Sequence, residues 1–247
     1  MAVRFGGILA GLCAALAVSA CAENPNHLNT HYLSQFAKAE PTLADFPVCH
    51  GFGCAERSNA SLSLAQWRKV KAEFHPRARN AKAERQQIAK AVALIQQMVG
   101  PQTGTAVHQW THRNKLIYPN FGDTTQLDCV DEAVNTWTYM TLMERGKLLR
   151  FHNVAQLANA GGLNDPFMRN TAVLKQKDGG YYAIDASIVD GGVPPPIIPL
   201  TTWIAHWPPD LATAETAAGA HEKPAHKQKG RAQSAKRAKP AARPTSS

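Results

Sequence analysis

The chain has 247 residues, and its net charge of +9 comes from 27 lysines and arginines against 18 acidic residues. Residues 217–247 hold eight basic residues and one acid, so this tail, rather than a folded surface, carries most of the excess charge. After residues 1–20 no segment is long and apolar enough to cross a bilayer, which excludes a protein with several membrane-spanning helices.

Residues 1–20 have the features of an export signal. A positive charge precedes an apolar stretch, residues 8–18, that is shorter than the roughly 20 residues of a membrane-spanning helix. Val18-Ser19-Ala20-Cys21 is typical of a lipobox, so Cys21 is predicted to become the lipidated N-terminus; the alternative is ordinary cleavage before it. Because Ala22 follows instead of Asp, retention at the inner membrane is not signalled. We expect a lipoprotein anchored at the periplasmic face of the outer membrane, or otherwise a periplasmic protein.

Residues 21–60 are rich in Asn, Pro, Gly and Ser and are predicted to form an extended lead-in dominated by loops. Within it, Cys49 and Cys54 are close in sequence, and an oxidising periplasm favours a disulfide between them. One alternative is a metal site that adds His50, although no fourth ligand is evident; the other is two separate thiols. On the disulfide interpretation Cys129 is the cysteine left over in the mature chain.

Residues 61–208 are predicted to form one globular domain of the α+β class. Ser63 is the predicted N-cap of a first helix, and a second helix is predicted over residues 82–99. Gly100-Pro101 is expected to stop the second helix. The two helices are predicted to form a helical hairpin, and residues 102–126, which have no clear periodicity, are expected to be a long loop.

A third helix is predicted from Cys129 to Arg145, with Asp128 as its N-cap. This helix is expected to pack on a small antiparallel sheet. An Asp-Gly turn predicts a β-hairpin within the sheet, whereas Asn159-Ala160-Gly161-Gly162 is predicted to be a loop. The segments that are predicted to supply strands or edges are residues 148–154, 171–175, 181–184 and 197–207.

The position of Cys129 at a helix start makes it a candidate nucleophile. The N–H groups and the dipole of a helix N-terminus favour an anion and could stabilise an oxyanion, although the acidic neighbours of Cys129 oppose a thiolate. A cysteine nucleophile also needs a base, usually histidine, and a group that orients the base. Asp185 is the candidate for the orienting group, because the predicted hairpin places it opposite residues 169–172.

Three segments together resemble the core of transglutaminase-like cysteine proteinases of bacteria, a branch of the papain/transglutaminase superfamily. They are residues 128–133 (Asp-Cys-Val-Asp-Glu-Ala), residues 170–174 (Asn-Thr-Ala-Val-Leu) and residues 182–185 (Tyr-Ala-Ile-Asp), and the resemblance covers about residues 102–205. The family includes periplasmic proteases that clip surface adhesins. The resemblance implies that Cys129 is the nucleophile and that Asp185 orients a histidine base.

The histidine that this resemblance implies is missing from its expected position. That position falls at Arg169 or, as second choice, at Asn170. An arginine stays charged in proteins and an asparagine amide does not take up a proton, so neither is a general base. His152 is the best replacement in the sequence; the alternative is that it is a hydrogen-bonded structural residue. His108 and His112, in the loop ahead of Cys129, are further candidates.

The predicted function is that of an exported, lipid-anchored cysteine hydrolase, protease or acyl transferase that acts on peptide or protein substrates without a cofactor or metal. The first alternative is a catalytically inactive relative that binds or scaffolds envelope material, with Arg169 pairing with a carboxylate. In the second alternative Cys129 is a buried core residue of a purely structural protein, and the basic tail is the functional part. Residues 209–247 are predicted to be a disordered tail, in which residues 217–247 attract anionic envelope surfaces or are a solvated spacer. Nucleic acid is the least expected partner of an exported lipoprotein.

Overall fold

The computed structural model describes residues 35–36, 40–107, 123–162 and 165–205, and of residues 162 and 165–168 only the backbone. The predicted signal peptide, the lipidation site Cys21, the basic tail and most of the predicted long loop therefore lie outside the described residues. The described chain has an α+β fold, as predicted. Its helices are α1 (Leu64–Ala72), α2 (Ala81–Thr103), α3 (Cys129–Arg145) and α4 (Leu200–Ala205). Its strands are β1 (Phe46–His50), β2 (Glu56–Ala60), β3 (His152–Val154), β4 (Ala158–Gly162), β5 (Asp165–Gln176), β6 (Tyr181–Ile184) and β7 (Ile197–Pro199).

The segment before α1 is more regular than its composition indicates. Strands β1 and β2 pair antiparallel, with Phe46 opposite Ala60 and His50 opposite Glu56. The prediction of a loop-dominated lead-in was therefore wrong for residues 46–50 and 56–60. The strands form because β1 buries Phe46 and its other apolar side chains in the core beside α3, a tertiary contact that local composition does not reveal.

Capping sets the start of the first helix, and close packing explains the length of the second. The Ser63 hydroxyl accepts the N–H of Gln66 at 3.2 Å, and the Gln66 side chain accepts the N–H of Ser63 at 2.8 Å, which confirms the predicted capping box. Helix α2 continues through Pro101 to Thr103, so the predicted stop was wrong. Gly100 instead permits close packing, because a Cβ there would come within 2.9 Å of the Ala106 backbone.

The sheet is antiparallel throughout, and β5 is its longest strand. Strands follow the order β3-β5-β6-β7, and β4 pairs with the first part of β5. The predicted hairpin is confirmed, with Ala172 of β5 opposite Ile184 of β6. The predicted loop at residues 159–162 lies in β4 instead. Long β5 offers backbone donors and acceptors beyond the end of short β6, and β4 pairs with them although its sequence is Gly- and Ala-rich.

The two faces of the sheet pack against different helices. Alternation along β5 sends Ala172 and Leu174 into the main core, which includes α3, while Val173 packs with Trp203 of α4. Within residues 169–176 of β5, even-numbered residues therefore lie on the α3 face and odd-numbered residues on the α4 face. In the described part of the chain, no helix combines the length and apolar character needed to cross a membrane.

A buried carboxylate fixes the start of β3 against α2. Glu84 accepts the backbone N–H groups of Arg150, Phe151 and His152 at 2.7, 2.9 and 3.1 Å, and the Nδ1–H of His152 at 2.9 Å. The other ring nitrogen of His152 lies 3.2 Å from Nη1 of Arg85. Burial raises the pKa of Glu84, but the hydrogen bonds from His152, Arg150 and Phe151 outweigh it, so the pKa lies below its ordinary value. Both ring nitrogens of His152 thus have structural partners.

We expect Glu84→Gln to lower the free energy of unfolding by about 2 to 3 kcal/mol, because an amide replaces one acceptor of these N–H groups with a donor. Urea denaturation followed by circular dichroism measures the change. Exposed Glu56→Gln is the matched control and should stay within about 0.5 kcal/mol. The stabilisation by Glu84 is present above the unfolded pKa of about 4.3 and is lost as the pH falls through the lower folded pKa. Equal losses for the two variants would contradict this role.

Candidate functional site

Cys129 is the first residue of α3, and the carboxylate before it caps the helix. Oδ1 of Asp128 accepts the N–H groups of Val130 and Asp131 at 3.0 and 2.9 Å, and Asp131 accepts the N–H of Asp128 at 3.0 Å. The N-cap and the bounds of α3 are therefore as predicted. The first-turn donors that were expected to favour a thiolate bind this carboxylate instead.

The loop between β1 and β2 closes on the same helix end. Cys49 and Cys54 form a disulfide, as predicted, and residues 51–54 all have positive φ, from 58° to 83°. Three successive N–H groups of this loop point at acidic side chains: Phe52 and Cys54 donate to Asp131 at 3.2 and 2.7 Å, and Gly53 donates to Asp128 at 3.0 Å. Such a run of N–H groups forms an anion-binding concavity, and here the protein's own carboxylates fill it.

The second contact of this loop is with the middle of the helix. The side chain of Asn135 accepts the N–H of Cys49 at 2.7 Å and donates to its carbonyl at 2.9 Å.

The alternative of a metal site formed by Cys49, His50 and Cys54 is not supported by the described residues. Both sulfurs are joined in the disulfide, and the ring of His50 contacts Ser58 and the carbonyl of Thr124.

Asn170 of β5 is the side chain that meets the thiol. Its Nδ2 donates to Sγ of half-buried Cys129 at 3.4 Å. Burial and the charge of Asp128 raise the pKa of Cys129 to about 11; hydrogen bonds with Asn170 lower it in part, and Asp185 raises it further. The thiol is therefore protonated at neutral pH. Of the two positions considered for the missing histidine, the second choice faces the sulfur.

Asp185 and Arg169 lie on the opposite face of the sheet. Asp185 is buried, accepts the indole N–H of Trp203 at 2.7 Å, and accepts the hydroxyl and N–H of Ser187 at 2.6 and 3.1 Å. Burial raises its pKa, against these hydrogen bonds and the charge of Arg169. Arg169 is buried, lies 5.3 Å from the Trp203 ring and donates to the Ile204 carbonyl at 3.3 Å. The ligand carboxylate that the first alternative pairs with Arg169 would therefore have to reach a buried guanidinium, and that pairing stays a prediction.

His152 was the wrong choice of base. It pairs with Gln176, about six residues along β5 from Asn170, which at about 3.3 Å per residue puts it roughly 20 Å from the thiol. The other described histidines lie elsewhere: His50 contacts Ser58, and His75 lines a small cavity beside Glu84. His108 and His112 lie outside the described residues.

Sequence reasoning missed Asn170 as the partner of the thiol, and it missed Trp203 and Ser187 as the partners of Asp185. The sequence did hold a signal for Asn170: side chains of a strand alternate between faces, so Asn170 lies on the same face as the buried residues Ala172 and Leu174. No protein-family model, curated protein or solved structure matches the chain. What the described site offers chemically is a protonated thiol beside an amide, with a buried carboxyl group behind the sheet.

Iodoacetamide should alkylate Cys129 about 100-fold more slowly at pH 7 than a peptide thiol whose pKa is about 8.5, because far less thiolate is present. Asp128→Asn keeps a capping side chain and removes the nearest charge, so it should lower the pKa and speed alkylation. Mass spectrometry at a series of pH values measures the rates. Asp190→Asn, at an exposed acid, is the control and should change little. A rate in the wild type equal to that of the peptide would contradict a protonated thiol.

Proposed function

We propose that the protein is an exported, lipid-anchored binding protein of the cell envelope, with a transglutaminase-like core that does not use Cys129 for catalysis. The observation that carries the proposal is the contact between the Asn170 amide and the Cys129 sulfur. An amide at this position donates a hydrogen bond but cannot take the proton of the thiol.

The arrangement of elements supports the transglutaminase-like part of the proposal. Cys129 begins a helix that packs on the sheet, and Asp185 directly follows the strand that pairs with β5. These are the relative positions that the family resemblance implies for a nucleophile and an orienting carboxylate. Asp185 binds Trp203 and Ser187 in this chain, which gives it a structural role in anchoring α4.

The electrostatics of the thiol argue against turnover. With a pKa of about 11, only about one thiol in ten thousand is ionised at pH 7. The burial of the sulfur and the carboxylate of Asp128 are the two largest causes of this high pKa. A nucleophile of this class normally has its pKa lowered by a histidine or by unshared helix N–H groups. Here the helix N–H groups are shared with Asp128.

The surface around Cys129 can bind a peptide or protein without catalysis. The Cys129 thiol is half-buried, so a bound peptide can contact it, whereas Asn170 is buried behind it and supports the thiol from within. Lipidation at Cys21 would hold the domain at the membrane, and the eight basic residues of the tail would add attraction to anionic envelope surfaces. Neither contribution requires a reactive thiol.

The second candidate function is a cysteine hydrolase, protease or acyl transferase. It is favoured by the hydrogen bond from Asn170, which lowers the pKa of Cys129 from an even higher value. In that case the base would have to come from outside the described residues.

Comparison of the full-length lipidated protein with its Cys129→Ala variant separates the two functions. Each is incubated with an isolated envelope fraction, and new protein N-termini are identified by mass spectrometry. We expect the same termini from both proteins; a terminus that requires Cys129 would contradict the proposal and support the enzyme.

Binding is tested with the peptides of a digested envelope fraction, passed over the immobilised protein. Cys129→Trp fills the half-buried position with a bulky side chain and should reduce retention at least tenfold, whereas Cys129→Ala should not. Asn59→Trp adds the same bulk at an exposed position and is the control. Equal retention by all variants would show that this surface does not bind the peptides.

Restoring an imidazole tests the assignment of the facing position. Asn170→His should place a base against the sulfur and raise alkylation of Cys129 at pH 7 at least tenfold, because an imidazolium stabilises a thiolate. Arg169→His should not, because position 169 lies on the α4 face. Circular dichroism checks that both variants are folded. Faster alkylation of Cys129 in Arg169→His but not in Asn170→His would contradict the assignment of Asn170 as the residue that faces the sulfur.

A further inference from the structure

A separate cavity of about 180 Å³ lies between α2 and α3, and Cys129 does not line it. Its volume exceeds the roughly 150 Å³ that holds a benzene-sized molecule. Leu127, Ala106 and Tyr139 supply apolar and aromatic wall, and Glu132 supplies a carboxyl group. The cavity is therefore large enough for a small organic molecule with a polar end.

Glu132 is the acidic residue among the described residues that line this cavity. The residue is 1% exposed, and its Oε2 accepts a hydrogen bond from the amide of Gln96 at 2.8 Å. Burial raises the pKa of Glu132 to about 8, with further increases from Asp131, Asp185 and Asp128. Among the described residues that line the cavity, none is Lys, Arg or His. Once Glu132 loses its proton, its charge disfavours an anion in the cavity and favours a cation.

The amides around Glu132 already serve the fold. Gln96 accepts the N–H of Gly192 at 3.1 Å, and Gln97 donates to the carbonyl of Gly192 at 2.8 Å. Asn135 uses both ends of its side chain on the backbone of Cys49. These residues shape the walls and hold them in place, which leaves the carboxyl group as the main determinant of what binds.

We propose that this cavity binds a small organic cation, with an ammonium or guanidinium group at Glu132 and an apolar body against Leu127 and Tyr139. An aromatic wall suits such a cation, because its ring face attracts positive charge. A calcium or magnesium ion fits less well, since it needs several oxygen ligands and Glu132 is the one carboxylate among the described lining residues. The cation is either a free amine or the side chain of a lysine or arginine in a protein.

Binding to the full-length protein is measured by isothermal titration calorimetry with n-butylamine, 1-butanol and butyrate as probes of matched size. We expect n-butylamine to bind at least tenfold more tightly than the alcohol or the acid. Its affinity should fall about tenfold for each pH unit below 8, because Glu132 must lose its proton to pair with the cation. Equal binding of 1-butanol, no binding of n-butylamine, or an affinity independent of pH would each overturn the proposal.

Glu132→Gln is the decisive variant, because it keeps the shape of the side chain and an acceptor for Gln96 but removes the charge. It should weaken n-butylamine at least tenfold, whereas Glu56→Gln, at an exposed glutamate, should not. Unchanged binding by Glu132→Gln would refute the site. If that variant does not fold, the pH profile of the wild type decides. Tighter binding of Nα-acetyl-lysine amide than of n-butylamine supports a protein side chain as the source, and the reverse supports a free amine.

Discussion

The contact between the disulfide loop and the two acidic side chains at the start of α3, Asp128 and Asp131, is the interaction on which the rest of the site depends. An acidic side chain withdrawn from water is costly unless donors surround it, and the N–H groups of residues 52–54 bind buried Asp131 and half-buried Asp128. The contact fixes the β1–β2 hairpin against α3 and therefore fixes where Cys129 lies. It also keeps the charge of Asp128 beside the sulfur, which adds to the effect of burial in raising the pKa of the Cys129 thiol.

The elements that the sequence predicts correctly are those with local signals. Capping side chains at Ser63 and Asp128 mark helix starts, and the Asp-Gly turn marks the β5–β6 hairpin. Strands β1, β2 and β4 have no comparable signal, because their residues become strands only when a partner strand and a packing face are present. Helix α2 continues past Gly100-Pro101 for a similar reason, since the close packing of Ala106 on Gly100 is a contact that local sequence does not reveal.

The candidate site is predictable to the level of its elements but not of its side-chain partners. The sequence places Cys129 at a helix start and Asp185 at a strand end, and the structure has both there. The sequence does not tell which face of the sheet α3 covers. That face determines whether Arg169 or Asn170 meets the Cys129 sulfur. The partner of His152 was equally hidden, because Glu84 lies 68 residues earlier in the chain.

The raised pKa of Cys129 also has a consequence for the disulfide, whose loop binds the same end of the helix. Exchange between thiols and disulfides proceeds through a thiolate, and Cys54 is held at the same helix end that begins with Cys129. A cysteine that keeps its proton is a poor attacking group in such an exchange, wherever its partner lies. The burial and the acidic neighbour that raise the pKa of Cys129 therefore also slow any exchange of its sulfur with the Cys49–Cys54 disulfide.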